Sequence, residues 1–325
     1  MRKTFFIWVS LLVLAVIASV AGTTYYFRAS MRERVIISTT SSLYDTGLLN
    51  AIETRFEAEY PIDLNFISVG TGIAIQHAQR GDADMILVHS PTDELGFLTD
   101  GTGVNRKIIA YNFFTIVGPE TDPAQIRNTS PLEALSKIVE GGRNGTVKWV
   151  SRGDNSGTHA KEKSLWTDAG FDWKTLAKES WYVNVGSGMG ETLKKADYFS
   201  AYTLADMGTY LKYQKDGLIS LKVLIEQEKD LLNVYSAIAV NQTLHPSVNF
   251  NGAMAFMKYL ISNEGQQFIE QYGKDEYGQS LFYSAVRLLK ENIDPTIAQW
   301  IRDYAFFNGT ECPQEYRKGY SELYG

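Results

Sequence analysis

The run Ser151-Arg152-Gly153-Asp154-Asn155-Ser156-Gly157-Thr158-His159 decides how this chain is read. Before it, Trp149 and Val150 end an apolar segment with the character of a buried strand. After it, Lys161 to Asp168 carries a helical pattern. The run is therefore a strand-to-helix loop, the connection from which alternating α/β folds are built. It sets a guanidinium, glycines and several hydroxyls where a helix begins, and a helix N-terminus offers free backbone N–H groups and about half a positive charge. Glycines let those N–H groups approach an anion closely, and Arg152 can fork onto two oxygens. Read alone, the loop leaves a plainer alternative open, in which Ser156 and Thr158 only cap the helix while Arg152 pairs with Asp154 on the surface.

Outward from this loop the same alternation recurs. Arg34 to Ser38 reads as a first strand, followed by Ser38-Thr39-Thr40-Ser41-Ser42 and a helix over about Gly47 to Tyr60. Ile62 to Val69 is a strand, Gly70-Thr71-Gly72 opens a helix through Arg80, and Asp84 to Val88 is a short buried strand ending at His89-Ser90-Pro91. Lys107 to Val117 is a long apolar strand. Ser180 to Val185, Ser200 to Leu204, Leu221 to Leu224 and Val234 to Val240 follow as strands, and Gly252 to Ile261 and Gly265 to Tyr272 as helices. Hydroxyls or glycines occupy five strand-to-helix loops: Thr39 and Thr40, Gly70 to Gly72, Ser90, Ser151 to Thr158, and Ser187 to Gly190. In an open α/β sheet ligands bind at the carboxyl ends of strands, so these loops are expected to converge.

The chain has 325 residues, 44% hydrophobic and 13% aromatic, enough for a large core in one or two domains. Its net charge of −6 gives no basic footprint for nucleic acid, so an anion must be held by local dipoles and Arg152. The lone Cys312 has no partner for an internal disulfide or a zinc site. Residues 1–34 stand apart. Met1-Arg2-Lys3 is basic, Phe5 to Ala21 is unbroken by charge, and Tyr25, Tyr26 and Phe27 precede Arg28, Arg32 and Arg34. This is a signal peptide, with Ser19-Val20-Ala21 before Gly22 as its cleavage site, or a membrane anchor over residues 4–27. The rest is expected to be a soluble domain outside the membrane. Asn128-Thr129-Ser130, Asn241-Gln242-Thr243 and Asn308-Gly309-Thr310 fit glycosylation sequons, which also arise by chance.

Nothing here reads as an enzyme. Gly186-Ser187-Gly188-Met189-Gly190 lacks the spacing of a dinucleotide fingerprint, and no phosphate loop or nucleophile elbow is present. His77, His89, His159 and His245 are scattered, so neither a metal site nor a cofactor is expected.

Ser38-Thr39-Thr40-Ser41, Val69-Gly70-Thr71-Gly72, Gly81-Asp82-Ala83-Asp84, Val88-His89-Ser90-Pro91, Gly103-Val104-Asn105-Arg106, Ser151 to His159, Gly188-Met189-Gly190 and Ala201-Tyr202-Thr203-Leu204 together resemble the substrate-binding proteins of tungstate ABC transporters, in order from about 35 to 285. The resemblance implies a two-lobed type II periplasmic binding protein fold, α/β, with the oxyanion in the cleft between lobes. Lobe 1 is expected at 35–115 and 235–325, lobe 2 at 118–232, with Phe113 to Val117 and Val234 to Ala239 as hinge strands. By the same resemblance Thr39, Thr40 and Ser90 grip the anion from lobe 1, and Ser151, Arg152 and Thr158 from lobe 2, with Ser187, Gly188 and Met189 adding loop contacts. The implied partners are tungstate, a permease with its ATPase, and the membrane through the N-terminal helix, the protein acting as a monomer. A fully deprotonated dianion needs donors only, which makes Asp154 an orienter of Arg152 or of the loop. Molybdate shares tungstate's charge and shape and is not ranked against it by sequence. A phosphate-binding protein and a membrane-anchored oxyanion sensor are the remaining alternatives. No lipoprotein cysteine is present, and the tail beyond about 290 is expected to pack on lobe 1.

Overall fold

The computed structural model describes residues 32–154 and 156–324, with Leu14, Val16, Ile17 and Ser19 of the N-terminal segment. The leader or anchor expected over 1–34 lies almost wholly outside these residues. Among the described residues no helix is long and apolar enough to cross a membrane.

Strands β1 (Glu33–Thr40), β2 (Ile62–Val69) and β3 (Met85–Val88) are parallel, with β1 between the other two. Their carboxyl ends therefore share one edge. From it the chain passes into the helices Ser41–Tyr44, Thr71–Gln79 and Pro91–Thr99. β3 continues through antiparallel pairing to β9 (Leu232–Val240), and β9 to β4 (Gly103–Gly118). Every residue of β4 and β9 is buried, as expected for strands covered on both faces. β4 is longer than its apolar run because Asn105 and Arg106, both 0% exposed, extend it toward Gly103.

β4 pairs with β9 as far as Phe113, and from Phe114 it takes β7 (Thr203–Asp206) and β8 (Lys222–Ile225) as partners. One strand thus serves two parts of the sheet. β5 (Trp149–Ser151) and β6 (Tyr182–Asn184) form a parallel pair, tied to the approach to β7 by the Trp149–Tyr202 bridge. The order of the long path is β10 (Tyr283–Ser284), β4, β9, β3, β1, β2.

Among the described residues, four helices of nine residues or more lie outside the expected alternation: Pro91–Thr99, Pro131–Arg143, Met207–Lys215 and Pro295–Ala305. Three open with proline in the first turn, where its missing N–H costs nothing. Ser130 and Asp294 accept backbone N–H groups at their starts, as does Asp206 for the fourth.

The tail, expected on lobe 1, packs against two clusters. Ala298, Ile301 and Ala305 bury one face of helix Pro295–Ala305 in the cluster that holds Trp149, Trp166 and Leu232. Phe307, Tyr316, Tyr320 and Tyr324 pack instead on the cluster built around β1, β3 and β9. Polar anchors explain the second part: Glu311 takes the Lys107 ammonium and the Ile108 N–H, and its carbonyl accepts from Arg106 at 2.5 Å. Arg106 also pairs with Glu94 at 2.7 Å, both side chains 0% exposed. Cys312 is fully buried in this segment.

Candidate functional site

Because β5 and β6 are parallel, the loops after Ser151 and Asn184 leave the same edge. The Val185 N–H donates to the Ser151 carbonyl and the Gly186 N–H to that of Arg152, which lays the 185–188 turn along the Arg152 loop. Gly153 adopts φ +65°, a left-handed conformation that glycine enters without steric cost. That kink lets Asp154 fold back. Its Oδ2 takes the Arg152 Nε–H at 2.7 Å and its Oδ1 accepts the Ser156 N–H at 3.1 Å. Asp154 therefore orients both the arginine and the loop. Ser156 accepts from the His159 N–H and caps the helix Gly157–Asp168.

Arg152 is only 4% exposed. Its Nη1 lies 3.4 Å from Thr158 Oγ1, and its Nη2 lies 3.4 Å from Ser41 Oγ, at the start of the helix Ser41–Tyr44 that follows β1. The guanidinium thus connects the ends of two sets of strands that are far apart in sequence. Beside Ser41, the Ser42 hydroxyl donates to Thr40 Oγ1 at 3.3 Å and lies 3.4 Å from His89 Nε2. His89 in turn closes on Gly157: a methyl group there would stand 2.4 Å from Nε2. Thr40, Ser41, Ser42 and His89 form one wall, and Arg152, Gly157 and Thr158 the other.

Arg152 is the cation of this site, and its field reaches several titratable neighbours. Burial pushes the Asp45 and Asp206 carboxyls up, with Arg152 opposing in both cases. Burial lowers His89 to about 4; the Asn233 hydrogen bond opposes this and Arg152 adds to it. His159 is lowered chiefly by burial, then by Lys163.

Some residues expected in the site have spent their hydroxyl protons elsewhere. Thr39, 0% exposed, donates to the Leu87 carbonyl at 3.0 Å inside the sheet. Ser90 donates to Asp93 at 2.7 Å at the start of its own helix. Ser151 donates to Glu162 at 2.9 Å. Glu162 is a buried carboxylate that also receives Trp149, Trp166 and Tyr182; burial pushes its pKa up, and these donors pull it back. It anchors the strand from which the Arg152 loop springs. Of the Ser187-Gly188-Met189 turn, Gly188 is exposed at the start of helix Met189–Tyr198, and Met189 is buried against Val150 and Leu193. Met189 is a packing residue.

The structure adds Ser41, Ser42, His89 and Thr71. Thr71 follows β2 at the same edge, and its hydroxyl is buried without a hydrogen-bond partner. A buried hydroxyl left unpaired is costly, so Thr71 is a candidate donor to a ligand at this edge. The five-loop pattern pointed to Thr71, whereas the juxtaposition of Ser42 and His89, 47 residues apart, had no sequence signal.

Residues 21–264 match the PBP superfamily domain. The chain is 40% identical over 251 residues to the tungstate-binding protein TupA of Peptoclostridium acidaminophilum, an alignment covering 76% of this chain and 84% of that one. The tungstate-binding protein of Desulfovibrio alaskensis G20 superposes with a TM-score of 0.69 at 37% identity, covering 78% of this chain and 98% of the other. For the tungstate ABC transporter protein of Geobacter sulfurreducens the values are 0.65 and 40%, covering 74% and 99%.

Proposed function

The chain belongs to the PBP superfamily and, within it, to the family of tungstate-binding proteins, and from this membership we propose that it binds tungstate outside the cytoplasm and delivers it to an ABC transporter permease. The family consists of substrate-binding proteins, not enzymes. The observation that carries the reading is Arg152: a nearly buried guanidinium, held by Asp154, reaching Thr158 on its own helix and Ser41 across the cleft. A dianion seated there meets donors on both walls, and closure around it follows from its greater affinity for the closed state.

In this reading the lobes are 35–115 with 235–325, and 118–232, joined through β4 and β9, the tail helix Pro295–Ala305 being shared between them. Thr40, Arg152 and Thr158 touch the anion, joined by Ser41, Ser42 and Thr71. Backbone N–H groups of the 187–189 turn supply further donors. Thr39, Ser90 and Ser151 shape the edge from which these groups project. The N-terminal segment exports the chain or tethers it to the membrane.

Calorimetric titration with tungstate, molybdate, sulfate and phosphate at matched ionic strength tests the proposal. Tungstate is expected to bind one per chain, with sulfate and phosphate rejected and the molybdate ratio measuring selectivity. Binding of phosphate alone would reject the donor-only cleft and put the Asp154 carboxyl against the ligand, where it would accept the phosphate proton.

A further inference from the structure

We propose that His89 is the proton acceptor of the anion cleft, so that a bound oxyanion and a proton on His89 Nε2 favour one another and uptake is proton-linked. This rests on the reading of the cleft as an oxyanion site.

The hydrogen-bond network sets the ring's state. Asn233 Nδ2 donates to Asn112 Oδ1 at 2.9 Å and to Tyr235 OH at 2.8 Å, which orients its amide. Asn233 Oδ1 then faces His89 Nδ1 at 2.7 Å. An amide oxygen accepts only, so Nδ1 carries a hydrogen, and in the neutral ring Nε2 presents a lone pair. That lone pair faces Ser42 Oγ from one wall and Gly157 from the other. Among hydroxyls and a guanidinium that act as donors, it is an acceptor facing the same space.

The charged groups around the ring explain why it is neutral without a ligand. Tyr235 stacks on it at 5.0 Å and Phe114 lies at 6.3 Å, both uncharged rings. Arg152 is the cation near it, itself flanked by Asp154 and within the field of Asp45 and Asp206. Burial and Arg152 together disfavour a second positive charge. An oxyanion dianion brings two negative charges into the same space and reverses that field. Protonated at Nε2, His89 changes from acceptor to donor and joins the ligand's shell. Linkage then requires the anion to bind more tightly as pH falls toward the range in which free His89 titrates.

The test is calorimetry of micromolar tungstate binding to the full chain in buffers of different ionisation enthalpy, between pH 5.5 and 7.5. Proton uptake is expected at the lower pH, with the dissociation constant falling roughly three-fold or more from pH 7 to pH 5.5. Uptake should persist in His159→Asn, which removes the other histidine near Arg152, and vanish in His89→Asn. The 15N shift of His89 Nε2 in the unmodified chain supplies a readout that survives a poorly folding variant: it should move from a bare to a protonated nitrogen when tungstate is added. Tungstate binding without proton uptake, or an unmoved Nε2 shift, overturns this inference and leaves the proposed function standing. Uptake retained in His89→Asn or lost in His159→Asn also overturns it. Absence of oxyanion binding overturns both.

Discussion

Arg152 and Thr39 were read from the sequence as two donors to one anion, and their surroundings separate them. Arg152 is held by Asp154 with its remaining N–H groups directed at Thr158 and Ser41. Arg152→Ala should weaken tungstate binding by about 2 kcal/mol, roughly 30-fold, by deleting a charge-assisted contact. Unchanged affinity in a titration would remove it from the site. Thr39 lies inside the sheet with its hydroxyl on the Leu87 carbonyl. Thr39→Val should therefore lower unfolding free energy by about 1 kcal/mol in urea, because a buried carbonyl loses a donor, with affinity nearly unchanged. A large loss of affinity at undiminished stability would return Thr39 to the ligand.

At the scale of the element, the helix Gly157–Asp168 carries both its own cap and a point of contact across the cleft. Ser156 and Thr158 are the hydroxyls whose role the sequence left open. Ser156 caps, and Thr158, 0% exposed, turns to Arg152. Gly157 is required by proximity, since its backbone conformation is available to other residues but its Cβ position is filled by His89. Gly157→Ala should leave the melting temperature within a few degrees and weaken tungstate binding about ten-fold or more, by holding the two walls apart. Full affinity in this variant would show that the approach of His89 to Gly157 is not part of the bound state.

For the whole molecule, β4 and β9 run through the fold and the tail locks onto them. Removing residues 306–325 strips Lys107 and the Ile108 N–H of the Glu311 carboxylate, and Arg106 of a carbonyl. The expected cost is on the order of 3 kcal/mol or more in denaturant unfolding, since these groups are left buried with fewer partners. A truncated chain as stable as the full one would make the tail an ornament. Stability should also depend on acid. His89 titrates at about 4 in the fold, below the ordinary 6.5, so the unfolded chain binds more protons between those values. Its contribution is present above pH 6.5 and is lost as pH falls toward 4. Between pH 7 and pH 5 this amounts to about 2 kcal/mol of the ligand-free protein's stability. A His89→Asn variant should lose correspondingly less over that range, measured by urea unfolding at each pH.

The alternation of strands and helices, the five loops rich in hydroxyls and glycines, and the pairing of Arg152 with Asp154 were legible because each is local. Period, turn chemistry and a spacing of two residues are properties of neighbouring positions in the chain. The helices opening at Pro91, Pro131 and Pro295 carried local start signals as well, and the apolar-run reading passed over them. Which hydroxyls face a ligand was not legible, since Thr39, Ser90 and Ser151 are consumed by Leu87, Asp93 and Glu162, and two of those acceptors lie 48 and 11 residues away. The same holds for the burial of Arg106, which depends on Glu94 and the distant Glu311, and of Asn105, whose amide pairs with the backbone of Lys318. Amino-acid order by itself determined an α/β chain with an anion loop at a helix start. Only the tertiary structure decided that His89, Ser42 and Gly157 meet, because their approach is a packing outcome of two sets of strands brought together by β4 and β9, and no periodicity along one segment encodes a contact between two.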